Sequence, residues 1–297
     1  MGAFRGERDW GRLLTAMVTP FSSDGSLDES ALRRVANYLV DDMRNEGLVV
    51  CGTTGESPTL SREEKRRVLE VVLEEVGDRA AVVAGAGTYN TAESVELIRE
   101  AESLGAHGIM VVNPYYNKPG QSGLEAHFRA CAQATTLPVM LYNILPRSAI
   151  NLETHTLLRL AQIENVVAVK EASGSVAQAS DVCGSAPEGF RVYAGDETIT
   201  LPILSVGGYG VVSVIGHVFG HRLREMIEIF ATDPGAACRI HHRSIPVVRA
   251  LFSSPNPVPV KYALSKKGLM GPTVRLPLVE MTEAEKGYVD AGLEEPC

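Results

Sequence analysis

The sequence has no apolar run of about 18 residues or more, so it is not expected to cross a membrane. Runs of like charge are also missing, and 28 Lys and Arg against 36 Asp and Glu leave a net charge of −8. This balance excludes the basic surface that nucleic acids require. Residues 1–10 are polar and lack the apolar core of a signal peptide. We therefore expect a cytoplasmic protein with neither a nucleic-acid nor a membrane partner.

Cysteine is scarce and shows no pairing pattern. The five cysteines are widely spaced, and none forms a CxxC pair: Cys51, Cys131, Cys183, Cys238 and Cys297. Their odd number and spacing exclude a disulfide framework and a zinc-finger type of site, and they indicate a reducing compartment. A GxGxxG fingerprint and a P-loop are also absent. No metal, nucleotide or flavin is expected, and the i, i+4 pair His217 and His221 is interpreted as packing or solvated histidines because HExxH is not formed.

Short apolar segments alternate with longer amphipathic ones over about 220 residues, a size typical of one barrel domain. Eight segments are predicted to be strands: 13–18, 48–51, 80–84, 108–112, 138–142, 166–170, 191–194 and 210–214. Helical patterns lie between them, among others at 28–45, 61–76, 91–103, 123–134 and 153–161. Nearly continuous apolar strands imply burial on both faces, which favours a (β/α)₈ TIM barrel over an open sheet. Helical patterns at 236–252, 258–267 and 282–293 predict a C-terminal helical appendage, with the barrel in residues 1–224 and the appendage in residues 225–297.

Lys170 is the first candidate catalytic residue, because it ends a buried strand in an amine. Desolvation of an ammonium is costly, so burial favours the neutral, nucleophilic form of a Schiff-base lysine. Strand alternation places Ala168 and Lys170 on one face and Glu171 on the other, so Glu171 need not pair with the amine. The alternative is a solvated lysine just beyond a strand.

Polar residues follow the other strands at the same end, where this fold assembles its chemistry. Thr53 and Thr54, between Gly52 and Gly55, suit a cradle for a small carboxylate, with an ordinary strand-to-helix turn as the alternative. Glu56 is interpreted as a structural acceptor. Tyr142 is the candidate proton shuttle for a lysine that condenses with a ketone, with Thr54 and Tyr116 as possible links in a relay. Arg147, in the Pro-containing segment after the fifth strand, is a candidate for binding a second carboxylate in bidentate fashion.

Together these motifs resemble the dihydrodipicolinate synthase family, within the pyruvate-dependent class I aldolase superfamily. The resemblance runs from about residue 13 to 276 and rests on six segments: 52–57, 114–116, 141–143, 170–174, 210–214 and 255–261. It implies that Lys170 forms a Schiff base with pyruvate and that the enamine attacks aspartate 4-semialdehyde. It also implies that Thr53 and Thr54 hold the pyruvate carboxylate, that Tyr142, Thr54 and Tyr116 form the relay, and that Arg147 binds the semialdehyde carboxylate.

The resemblance further implies a homo-oligomer, in which Tyr116 reaches a neighbouring subunit and the usual assembly is a tetramer of two tight dimers. Gly195, after the seventh strand, and Val212, in the eighth, are expected to line the substrate site. The family often has Pro-x-Arg-Thr where this chain has Pro146-Arg147-Ser148. Two other hypotheses remain open: an aldolase or lyase for a 2-keto-3-deoxy sugar acid or another 2-oxo acid, and a noncatalytic barrel that acts as a ligand sensor or scaffold.

Overall fold

The computed structural model describes residues 4–6 and 8–294, so Cys297 lies outside the described residues. Its eight strands, β1 to β8, form a closed parallel barrel in chain order. Their bounds are Leu13–Ala16, Gly47–Val50, Ala81–Gly85, Gly108–Val112, Val139–Asn143, Val166–Glu171, Arg191–Ala194 and Gly210–Ser213. Each strand overlaps the segment predicted for it, and the TIM-barrel prediction is confirmed.

The strands are buried almost throughout, as expected for a parallel sheet that is covered on both faces. The register of β5, β6 and β7 aligns Tyr142 with Lys170 and Lys170 with Tyr193. Because aligned residues of neighbouring strands point to the same face, these three side chains share one face of the sheet.

Helices lie between the strands and continue after the last one. Those between strands are α1 (Glu29–Asp41), α2 (Arg62–Val76), α3 (Thr91–Ser103), α4 (Gln121–Gln133), α5 (Leu145–Ser148), α6 (Thr154–Leu160), α7 (Val176–Ser185) and α8 (Thr200–Ser205). Those after β8 are α9 (Gly216–Ile229), α10 (Pro234–Leu251), α11 (Val258–Lys266) and α12 (Glu283–Glu294). Over residues 4–6 and 8–294, no helix has both the length and the apolar character that a membrane span needs.

Local capping explains where several helices begin. A capping box starts α2 next to residue 61, where the helical pattern begins, since the Ser61 hydroxyl accepts from the Glu64 amide and the Glu64 carboxylate accepts from the Ser61 amide. Asp28 and Asn90 cap α1 and α3 through their side chains. Such caps satisfy backbone donors that a helix leaves unpaired at its first turn.

The chain forms two compact units. One contains the residues up to Arg12 together with Ala81–Val212, and therefore β3 to β7 and most of β8. The other contains Leu13–Ala80 and the residues from Ser213 onward, with β1, β2 and the C-terminal helices. The predicted boundary at residue 224 falls inside α9, and that division into domains stays a prediction.

His217 and His221 both lie on α9. His217 is fully buried, where its Nε2 accepts from the Val18 amide at 3.2 Å and its Nδ1 lies 2.8 Å from the Val214 carbonyl oxygen. Burial lowers the pKa of His217 to about 4, so the ring is neutral at physiological pH. The interpretation of this histidine as a packing residue is confirmed.

Candidate active site

Lys170 lies near the carboxyl end of β6 and is only 4% exposed. Burial lowers the pKa of its amine from 10.5 to about 8; the negative charge of Glu197 opposes this change, and the positive charge of Arg147 adds to it. At pH 7 roughly one amine in ten is then neutral, compared with about one in a few thousand for an ordinary lysine. Lys170 is therefore a buried amine that is prepared for nucleophilic attack.

Tyr142 lies beside Lys170 on the neighbouring strand, as predicted. The two residues are aligned in the β5–β6 ladder, and the Lys170 Nζ lies 4.4 Å from the centre of the Tyr142 ring. Tyr142 is 4% exposed, so both side chains are shielded from bulk water. This arrangement places the aromatic ring of Tyr142 directly beside the buried amine.

Gly195 and Val212 lie on the same face of the sheet as Lys170. Gly195 is two residues beyond Tyr193, and Val212 is two residues beyond Gly210, the partner of Tyr193 in β8. A Cβ at Gly195 would lie 2.7 Å from the Ala172 Cβ and 3.0 Å from the Lys170 Cγ. Glycine is thus required at 195 because the lysine side chain passes directly over this backbone.

Glu171 points to the opposite face and does not depend on Lys170 for its partners. Its carboxylate accepts from the Ser173 amide at 2.7 Å, from Gln178 Nε2 at 3.1 Å and from Asn143 Nδ2 at 3.1 Å. The Asn143 Oδ1 in turn accepts from Asn113 Nδ2 at 2.9 Å. This buried network joins the ends of β4, β5 and β6, and so it fixes the strands that carry Tyr142 and Lys170.

Arg147 and Glu197 are the charged groups that act on the Lys170 amine. Arg147 is exposed and lies on the single turn of α5, a helical turn where the sequence predicted a loop. Glu197 is 3% exposed and begins a short 3₁₀ turn, which Asp196 caps through its side chain. An exposed cation and a buried anion, carried by different elements, therefore have opposite effects on the pKa of the Lys170 amine.

Thr53 and Thr54 lie in the tight turn that follows β2. Thr54 is 2% exposed and its Oγ1 accepts from Asn256 Nδ2 at 2.9 Å. The amides of Gly55 and Glu56 donate to the carbonyls of Gly52 and Thr53, so these two amides serve the turn itself. A Cβ at Gly55 would lie 3.2 Å from the Met17 carbonyl oxygen, which explains the glycine by close packing.

Glu56 is a structural residue, as interpreted from the sequence. Its Oε1 lies 2.5 Å from the Nζ of Lys261 on α11, and both side chains are at most 1% exposed. Its Oε2 accepts from the Arg275 amide at 3.0 Å. Burial lowers the pKa of Lys261 to about 8, against the opposing charge of Glu56. The ion pair ties the threonine turn to the C-terminal helices of the same unit.

Tyr116 is not packed beside the buried Lys170 of its own chain, since its side chain is 90% exposed. Its φ of 68° is in the left-handed region, which is unfavourable for a tyrosine. Tyr115 instead packs edge-on against Tyr89, with ring centres 5.3 Å apart. Because strained backbone is concentrated at functional sites, the strain indicates a functional role for the exposed Tyr116 side chain.

The sequence named Lys170, Tyr142, Gly195 and Val212 as candidates, and the register of the strands places them on one face. It assigned no role to Asn256, which contacts Thr54, or to the amides that hold Glu171. Only the Pro-Asn-Pro motif drew attention to Asn256. The roles of all these residues in catalysis or substrate binding stay predictions.

Comparisons with known proteins agree with the barrel and its strand-end motifs. Residues 9–295 match the profile of the dihydrodipicolinate synthetase family. The 4-hydroxy-tetrahydrodipicolinate synthase of Moorella thermoacetica is 54% identical over 96% of this chain and 98% of its own length. The Bacillus subtilis enzyme of the same name is 46% identical, with coverage of 97% and 99%. A dihydrodipicolinate synthase structure from Bacillus anthracis superimposes with a TM-score of 0.94 at 42% identity, covering 96% of this chain and 98% of that one. The chain belongs to the dihydrodipicolinate synthetase family.

Proposed function

We propose that this protein condenses pyruvate with L-aspartate 4-semialdehyde through a Schiff base on Lys170, and so acts as a 4-hydroxy-tetrahydrodipicolinate synthase. The observation that carries the proposal is a buried amine of lowered pKa at the carboxyl end of a barrel strand. Relatives that cover nearly the whole chain are named for this activity. Their name favours the synthase over an aldolase for 2-keto-3-deoxy sugar acids.

In the proposed reaction the neutral amine of Lys170 attacks the C2 carbonyl of pyruvate, and loss of water gives an imine. Removal of a methyl proton yields an enamine, whose carbon adds to the aldehyde of the semialdehyde. The semialdehyde amine then displaces Lys170 from the imine carbon, which closes the ring and frees the enzyme. The covalent imine takes the place of a cofactor, so the proposal includes no metal or nucleotide.

The remaining roles follow the resemblance. Tyr142 shuttles protons during formation and loss of the carbinolamine, in a relay with Thr54 and Tyr116. Thr53 and Thr54 bind the pyruvate carboxylate, whereas Gly195 and Val212 line the substrate. The position of the Tyr142 ring, 4.4 Å from the amine, supports the first of these assignments.

A homo-oligomer is part of the proposal, as a dimer in which Tyr116 serves the neighbouring subunit, or as a tetramer of two such dimers. The exposed, strained Tyr116 supports it. A cytoplasmic location is also proposed, supported by the four described cysteines, which are all free thiols. Sedimentation of the purified protein tests the assembly, and a monomer at working concentration would contradict it.

The central test is reduction with borohydride in the presence of pyruvate, followed by intact mass measurement. One reduced pyruvyl group per chain is expected, and Lys170→Ala should abolish it. Lys261 serves as a control and should not carry the group. Its pKa is also lowered to about 8, but its amine is fully buried in an ion pair. An unchanged mass would favour the sensor or scaffold, and an adduct that persists in Lys170→Ala would disprove the assignment.

Replacing Gly195 with alanine should displace the Lys170 side chain, because the new Cβ would lie within 3.1 Å of both its Cγ and its Cε. We expect kcat/KM for pyruvate to fall by about 10- to 100-fold, since small misplacements of reacting groups are costly. Gly184→Ala, where no atom lies within 4 Å of the added Cβ, is the matched control. Equal activity of the two variants would show that Gly195 does not position the lysine.

Replacing Arg147 with alanine should separate the two substrates. Arg147 is exposed on α5 and is the candidate partner of the semialdehyde carboxylate. We expect kcat/KM for the semialdehyde to fall by about 100-fold, the loss typical of a charge-assisted bidentate contact. Imine formation with pyruvate should slow by less than about threefold, because this step precedes acceptor binding and Arg147 is the smallest of the three influences on the pKa of the Lys170 amine. Equal loss in both assays would undo the assignment.

A further inference from the structure

Asn256 is a buried residue of the Pro255-Asn256-Pro257 segment between α10 and α11, and it is 7% exposed. Its Nδ2 donates to the Thr54 Oγ1 at 2.9 Å, and this bond is itself buried. Its Oδ1 is buried without a hydrogen-bond partner among the residues that the structure describes. An unpaired buried acceptor lowers stability, so folding alone gives no reason for an asparagine here.

The orientation of the amide decides what Thr54 can do. A hydroxyl has one hydrogen to donate and two lone pairs to accept, and the Asn256 N–H occupies one of these lone pairs. The Thr54 hydrogen is thereby directed to another acceptor. The opposite amide orientation would leave a buried NH₂ group unpaired, which is rarer in folded proteins than an unpaired carbonyl.

The position of Asn256 relative to Thr54 is fixed by a second contact between the same two segments. Glu56, two residues after Thr54, forms the buried ion pair with Lys261, five residues after Asn256. The Lys261 amide also donates to the Pro257 carbonyl, which ties α11 to the segment that carries Asn256. The ion pair and this hydrogen bond therefore fix the two segments relative to each other, so the Asn256 side chain stays in contact with the Thr54 hydroxyl.

We infer that Asn256 is a positioning residue for the reaction, which sets the Thr54 hydroxyl as a hydrogen donor. The inference rests on the proposed function, in which Thr54 belongs to the proton relay and contacts the pyruvate carboxylate. In either role Thr54 must offer its hydrogen, to a carboxylate oxygen or to a phenolate, and Asn256 prevents it from pointing elsewhere.

A double-mutant cycle on imine formation tests this role. Borohydride quenching gives the rate at which the pyruvate adduct forms in wild type, Asn256→Ala, Thr54→Val and the double variant. Asn256→Ala should slow the reaction by about tenfold, the effect of one lost hydrogen bond. In the Thr54→Val background the same change should have less than about a twofold effect, because the hydroxyl that Asn256 orients is gone. Ser254→Ala, which removes a neighbouring hydroxyl bonded to Glu285, should remain within about twofold of wild type.

Equal slowing by Asn256→Ala in both backgrounds would overturn the inference and leave the proposed function intact. Absence of an adduct in wild type would instead overturn the proposed function and this inference with it. If the double variant does not fold, Asn256→Asp decides, because an ionised aspartate of the same size only accepts hydrogen bonds. In this variant the Thr54 hydroxyl should donate its hydrogen to the new carboxylate, and the adduct should form more slowly than in Asn256→Ala. A rate equal to or above that of Asn256→Ala would contradict the inference.

Discussion

Replacing Lys170 with arginine or methionine is expected to abolish the pyruvate adduct and to lower kcat/KM by at least about a thousandfold. Arginine keeps a positive charge but is not deprotonated in proteins, so it cannot attack a carbonyl. Methionine keeps much of the side-chain volume and removes the charge. Similar losses in the two variants would show that nucleophilicity, and not charge or packing, is what the site needs from Lys170.

The pH dependence of imine formation follows from the same amine. Burial lowers the pKa of Lys170 from 10.5 to about 8, so the reactive neutral form increases as the pH rises through 8. The rate in wild type should rise about tenfold between pH 6 and 7 and level off above about pH 9. Rapid-quench measurement of the adduct at saturating pyruvate gives this profile. A midpoint near 10.5 would mean that the amine is solvated during the reaction.

Replacing Lys261 with methionine should have the largest effect on stability. The change leaves the Glu56 carboxylate buried without its cation, which typically costs about 3–5 kcal/mol. Urea unfolding followed by circular dichroism gives the loss in the free energy of unfolding. Because Glu56 follows Thr54 closely, the loss should be accompanied by weaker pyruvate binding.

Two further variants isolate the ion pair as the cause. The double variant Glu56→Gln with Lys261→Met removes both charges, and it should recover much of the stability that Lys261→Met loses. Lys266→Met, on the same helix, removes a lysine that is 58% exposed and pairs with Asp290, and it should cost less than about 1 kcal/mol. Equal losses for Lys261→Met and Lys266→Met would refute the importance of the buried pair.

Much of the barrel could be predicted from sequence because each strand is a short apolar run followed by polar residues. The same pattern located Lys170, and the register of a parallel ladder then determined its neighbour Tyr142. The predicted helix 61–76 also agrees with α2 to within one residue, because Ser61 caps this helix.

The contacts that support the site could not be predicted in the same way. Asn256 and Thr54 are separated by 202 positions, and only the folded chain brings them together. The segment with Asn256 has two prolines, which indicate an interrupted helix, and its likeness to a family motif names no contact for Asn256. The amide donors to Glu171 are Asn143 of β5 and Gln178 of α7, and nothing in the sequence marked either of them as a partner of this carboxylate.

The two ends of the proposed substrate site, Lys170 and Arg147, differ in how firmly the chain holds them. Lys170 is fixed by a ladder of backbone hydrogen bonds and by the buried amides around Glu171, whereas Arg147 occupies one exposed helical turn. Substitutions in that turn leave β6 and the contacts of Glu171 in place, and they affect the nucleophile only through the charge of Arg147. Protein engineering for new aldehydes should therefore begin at α5, where residues can be randomised while the keto-acid chemistry is retained.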